Sequence, residues 1–195
     1  MKGIEKLTPI RLAEVLTQRG LVPNETITDA LYSQDRYGES FSEVLVSSGQ
    51  INEWDLAKVV VEVFGIPFMM ASSYDITKEA QSAIPKELLF RHMVVPLDRL
   101  GNVVTVTMPI LTPFDVLGKI GRESGCEIYP FVGLIGENRK VLANIYSDYE
   151  DWRLEQEKKR EELRKSRSNR KERGGDWMSM FDSADEQVRK DRRDP

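Results

Sequence analysis

The chain is poor in the residues that carry much of protein chemistry. Its 195 residues include one cysteine, Cys126, and one histidine, His92. A single cysteine excludes an intrachain disulfide and fits a reducing compartment. A single histidine excludes a multi-histidine metal site. The first 15 residues, MKGIEKLTPIRLAEV, lack the apolar segment of a secretory leader. No run approaches the 18 apolar residues of a membrane-spanning helix. No GxxxxGK[ST] phosphate loop occurs in these 195 residues. Asp75, Asp98 and Asp115 are scattered at turns, without the pairing that acid–base work needs. With one histidine placed by a helix end, no Ser–His–Asp or Cys–His set is legible. The sequence therefore predicts a cytoplasmic, non-enzymatic protein without metal or resident cofactor.

Charge, by contrast, is plentiful but unevenly placed. Residues 150–195 hold 14 Lys/Arg and 13 Asp/Glu, which leaves 14 and 19 of the totals of 28 and 32 for residues 1–149. A net-acidic body disfavours nonspecific attraction to DNA or to an anionic membrane, because both require a positive field.

The strongest positive signal is an internal repeat. Residues 11–34, RLAEVLTQRGLVPNETITDALYSQ, align at an offset of 29 with residues 40–63, SFSEVLVSSGQINEWDLAKVVVEV. Glu14, Val15, Leu16 and Gly20 fall on Glu43, Val44, Leu45 and Gly49. Each copy reads as a short helix, a glycine stop and a longer helix. Thr8-Pro9 supplies an N-cap and a first-turn proline. Asn24 reads as the cap of the second helix, Ser40-x-x-Glu43 as a capping box, and Asn52-x-x-Asp55 as the start of the fourth helix. Gly20, Gly38, Gly49 and Gly65 sit where left-handed termination is expected. Leu12, Val15, Leu16 and Leu56, Val59, Val60, Val63 recur at helical spacing, so each helix buries one face.

Residues 67–149 change character. Short helices are expected over 77–84 and 85–91. Strands are expected over 93–97 and 103–108, joined by a hairpin at Arg99-Leu100-Gly101-Asn102. Thr112-Pro113 reads as the cap of a helix to about Glu123, 126–132 as a third strand, and 136–149 as a closing helix. The fold class is α+β: a four-helix unit of two repeats (1–66), a small three-stranded unit with helices (67–149), and a charged tail (150–195). Glu and Lys/Arg at helical spacing sustain an exposed helix to about Lys165. Beyond it the composition is that of a disordered segment, interrupted by one apolar cluster, Trp177, Met178, Met180 and Phe181. That cluster is a candidate partner-binding element.

The two copies resemble the MshEN-type, cyclic di-GMP-binding N-terminal domain of type II secretion and type IV pilus assembly ATPases. That family carries a 24-residue unit twice, separated by five residues. It opens on arginine, leucine and glycine, has a central glycine followed by two apolar residues, and closes on glutamine. Here the copies span 11–34 and 40–63 with 35–39 between them. The likeness continues through Phe64-Gly65-Ile66-Pro67-Phe68, Ile84-Pro85-Lys86-Glu87-Leu88 and Val95-Pro96-Leu97. It covers about residues 8–146 and implies a bacterial front module without the family's motor.

The resemblance implies a dinucleotide laid along both motifs, with arginine and glutamine reading guanine, apolar residues paving the surface and helix N-termini facing phosphate. Carried over position by position, the candidate ligand residues are Arg11, Leu12, Ala13, Leu16, Gly20, Leu21 and Gln34 in copy one. In copy two they are Ser40, Phe41, Leu45 and Gly49. The departures are Ala13 and Ser42 for glycine, Ser40 for arginine or histidine, Gln50 for an apolar residue and Val63 for the closing glutamine. Two roles follow as expectations: an adaptor that binds a protein component of a secretion, pilus or motility apparatus, or a cyclic di-GMP effector.

Overall fold

The computed structural model describes residues 6–174, with side chains through residue 165. The chain divides into two compact units, Met1–Arg153 and Leu154–Pro195.

The repeat is visible in the helices. α1 (Pro9–Gln18) and α2 (Asn24–Tyr37) form the first copy, and α3 (Phe41–Ser47) and α4 (Glu53–Phe64) the second. Five pairs of equivalent positions share their burial. Leu12 and Phe41, Ala13 and Ser42, Leu16 and Leu45, Val22 and Ile51, Ile27 and Leu56 are all buried. The short helix of each copy gives way to a glycine with positive φ, Gly20 at 62° and Gly49 at 74°. This conformation costs glycine little and other residues more. Thr8 caps α1 by accepting from the Arg11 N–H, and Asn52 caps α4 by accepting from the Asp55 N–H.

Three expected caps are not formed as read. Ser40 precedes α3 without a side-chain cap bond. Its intended capping-box partner, Glu43, pairs instead with Arg139, 96 residues away. Asn24 is the first helical residue of α2, because Pro23 takes the extended position before it. Thr112 is buried, and its N–H donates to Met108 Sδ at 3.4 Å. Pro113 then opens the following helix with no side-chain cap.

The second half builds one sheet. α5 (Lys78–Ala83), capped by the Thr77 hydroxyl accepting from the Ala80 N–H, and α6 (Lys86–His92) lead into β1 (Val95–Leu100). β1 pairs antiparallel with β2 (Val103–Pro109), with a register shift between Pro96 and Asp98. α7 (Phe114–Ser124) then crosses to β3 (Glu127–Gly133), which lies parallel to β2. A parallel return needs such a crossover. The order is β1–β2–β3, so β1 and β3 are the edges. Each edge carries a proline opposite the same central residue: Val106 faces Pro96 on one side and Pro130 on the other.

α8 (Ile135–Ile145) packs on the sheet through a polar residue. Asn138 is fully buried, donates to the carbonyls of Met93 at 2.9 Å and Thr107 at 3.1 Å, and accepts from Thr107 Oγ1 at 3.2 Å. Paired in this way, a buried amide avoids its desolvation penalty. The expected closing helix to Tyr149 is two helices. α8 stops at Ile145 because Tyr146 turns extended, packs edge-on against Phe90, and donates from its hydroxyl to the Gln81 carbonyl at 2.7 Å. α9 (Tyr149–Gly174) then begins. Tyr149 is buried against Phe90, and Trp152 joins them at 5.5 Å from the Phe90 ring.

α9 also runs past the expected end near Lys165. Ser166, Ser168 and Asn169 each weaken a helix by only about half a kcal/mol, and strong helix formers surround them. The apolar cluster Trp177–Phe181 lies outside the described residues.

Candidate functional site

The first copy presents an exposed cation at its opening position. Arg11 lies in the first turn of α1, half exposed, with its guanidinium on Glu14 at 2.9 Å. Gly20 and Leu21 are exposed after α1, and Gln34 is half-buried on α2. The remaining positions of this copy face inward: Leu12 and Leu16 are fully buried and Ala13 nearly so.

The second copy presents no cation at the matching place. Ser40 is half-buried, Gly49 is exposed, and Phe41 and Leu45 are core residues. Ser42 is wholly buried, and its hydroxyl has no protein hydrogen-bond partner. An unpaired buried hydroxyl at the family's glycine position is an energetic cost rather than a reader of ligand. Tested against a two-motif dinucleotide, the residues fit in half: a guanidinium is on offer from copy one, and no equivalent reader from copy two.

A second cluster has no local sequence signature. The first turns of α8 are held by four separate elements. The Gly136 N–H donates to the Glu53 carboxylate of α4 at 3.2 and 3.3 Å. Glu137 accepts from the Ser72 N–H and hydroxyl at 2.8 and 2.7 Å. Asn138 bonds the sheet, and Arg139 pairs with Glu43 of α3. A carboxylate at a helix N-terminus is favoured by the exposed amides and the helix dipole. Two of these carboxylates, Glu43 and Glu53, belong to the second repeat, so this copy is tied directly to α8. Beside them Trp54 stands half exposed and leans on Phe68 at 5.5 Å.

Titratable groups elsewhere are perturbed by burial. His92, the last residue of α6, is lowered to about 4, chiefly by burial and then by the positive charges of Arg91 and Lys119. Burial pushes the Tyr146 and Tyr149 phenols up to about 12. Glu62 is held below the usual carboxylate range by the Arg19 guanidinium, which bonds both its oxygens at 2.8 Å. Among the described residues no group of His, Cys, Asp and Glu could hold a metal ion. No helix among them is long and apolar enough to cross a membrane. Cys126 is buried at the start of β3, as a small apolar residue would be.

Tandem helix–glycine–helix units joined to a β–β–α–β sheet define the class: in fold this chain matches the MshEN-type N-terminal domain of secretion and pilus ATPases. It is similar to the type IV pilus assembly ATPase PilB of Myxococcus xanthus, at 29% identity over 98 residues. It is likewise similar to PilB of Thermus thermophilus, at 31% over 109 residues. Those alignments cover 50% and 55% of this chain but only 17% and 12% of the two ATPases. Among solved structures, MshE with cdg (cyclic di-GMP) matches 70% of this chain and 99% of its own, at TM-score 0.54 and 17% identity. The N-terminal domain of XpsE matches 73% of this chain and 96% of its own, at TM-score 0.54 and 18% identity. No protein-family model matches the chain.

Proposed function

We propose that this protein is a non-catalytic adaptor or regulatory module that binds a protein component of a secretion, pilus or motility apparatus. One observation carries the reading: the fold accounts for nearly the whole of the XpsE N-terminal domain, while the second motif copy has Ser40 where the first has the Arg11 guanidinium. On this reading the folded unit docks one component and the segment holding Trp177, Met178, Met180 and Phe181 engages another. The test is affinity capture from a secretion- or pilus-bearing bacterium with the full chain and with a chain ended after Arg153. Loss of one specific component from the shorter chain is expected; identical recovery by both removes the tail's role. The cut belongs after Arg153 rather than at Tyr149, because Tyr149 and Trp152 pack on Phe90.

A second reading is kept because MshE was solved with cdg and Arg11 and Gly20 retain their places in copy one. Here the protein is a cyclic di-GMP effector that relies on the first motif. Calorimetry decides it. If the dinucleotide binds, Arg11→Ala weakens binding by about 1–3 kcal/mol through loss of a charge-assisted contact. Absence of heat at high micromolar ligand eliminates the reading.

A further inference from the structure

The charges of α9 are sorted by face. With 3.6 residues per turn, Lys159, Arg160, Leu163, Arg164, Arg167, Arg170 and Lys171 occupy positions within one arc of roughly 140°. Six of these seven are basic and none is acidic. The rest of the circumference over residues 158–173 is balanced, with Lys158, Lys165 and Arg173 set against Glu161, Glu162 and Glu172. Within the arc, Lys159 also reaches Glu155 at 2.7 Å, and Leu163 is nearly half exposed.

Helix stability does not demand this sorting. Intrahelical ion pairs need opposite charges three or four positions apart, so they spread both signs around the helix. The helix dipole favours cations only in the last turn and selects no face. An acid-free basic stripe instead matches a partner with a dense, extended negative charge.

We infer that the basic face of α9 is a docking surface for an anionic phospholipid bilayer. From residue 159 to 171 the stripe is about 18 Å long at the rise of a regular helix, which suits a flat surface. Leu163 lies in the middle of the arc, and a bilayer interface accepts an apolar side chain between basic ones. The acidic body opposes such attachment, which confines it to this helix.

The experiment is co-sedimentation of the full chain with vesicles of phosphatidylcholine alone or mixed with phosphatidylglycerol. Binding is expected only to the mixed vesicles, and it weakens as salt is raised. The triple change Arg160→Gln, Arg164→Gln, Arg167→Gln lowers affinity about a hundredfold, from about fivefold per basic residue at the surface. The triple change Lys158→Gln, Lys165→Gln, Arg173→Gln, on the balanced face about a helix diameter away, lowers it less than about tenfold. Replacing the first three arginines by lysine retains binding. Glutamine and lysine are good helix formers, and circular dichroism verifies that the helix persists in each variant. The proposal is overturned by absence of binding to phosphatidylglycerol at low salt, by equal losses from the two glutamine triples, by failure of the lysine variant, or by tighter binding to a nucleic-acid duplex than to vesicles.

Discussion

His92 couples the folded unit to pH. The unfolded chain takes a proton there below about 6.5, and the folded chain only below about 4. Between those values the unfolded state binds more protons, so stability contributed by the neutral imidazole is present above 6.5 and is lost as pH falls towards 4. Arg91 and Lys119 reinforce the shift, while Glu123 and Asp115 oppose it. The urea midpoint is expected to fall between pH 6.5 and 4, and His92→Gln to flatten that slope. An unchanged slope in the variant would assign the acid sensitivity elsewhere. Ser42 offers the opposite test. Its hydroxyl is buried without a protein partner, so Ser42→Ala is expected to raise stability by about 1 kcal/mol, read as a higher urea midpoint.

At the scale of elements, the attachment of α8 to the sheet leaves no room. A methyl group on Gly133 would lie 2.9 Å from Asn138 Oδ1, 3.1 Å from the Thr107 Cβ and 3.2 Å from the Met108 carbonyl. Gly133→Ala is therefore expected to cost about 1–3 kcal/mol in chemical denaturation. Glu53→Gln, which keeps the shape but removes the charge at the α8 N-terminus, is expected to cost about 0.5–1 kcal/mol, an effect that shrinks in salt. These two sites also mark where sequence reasoning stops. The caps at Thr8 and Asn52 could be read because donor and acceptor lie three residues apart. So could the glycine stops and the helical spacing of the apolar residues. Glu43, Glu53 and Ser72 meet residues 136–139 across 65 to 96 positions, and no local pattern announces that. The same distant pull on Glu43 undoes the expected capping box at Ser40. In the candidate ligand site the motif positions could be aligned. The burial of Leu12 and Leu16 followed from their helical spacing, but that periodicity alone does not separate leucines that pave a surface from leucines that fill a core.

For the molecule as a whole, the folded unit extends to Arg153. Tyr149 and Trp152 close over Phe90 with ring centroids 5.1 and 5.5 Å away. Trp152→Ala is expected to destabilise the chain by about 2–4 kcal/mol, through lost aromatic burial, and to lower its thermal midpoint by several degrees. A chain ended at residue 148 loses both rings and is expected to show an earlier, broader transition than one ended at 153. The domain edge is hard to place from composition alone, because charge already dominates residues 150–157 while Trp152 among them still packs on Phe90.

The prolines flanking Val106 govern how the sheet can meet other molecules. Along β3 the Glu127 N–H points to Asn102 and the Val132 N–H to Pro67. Alternation therefore turns position 130 outward, and proline leaves no donor there. Pro96 likewise removes a donor from the opposite rim. A foreign extended segment laid along either rim meets an interrupted row of hydrogen-bonding groups, so recruitment falls to helices and side chains instead of main-chain zippering. Restoring the missing amide with Pro130→Val is expected to increase self-association as concentration rises, visible in light scattering.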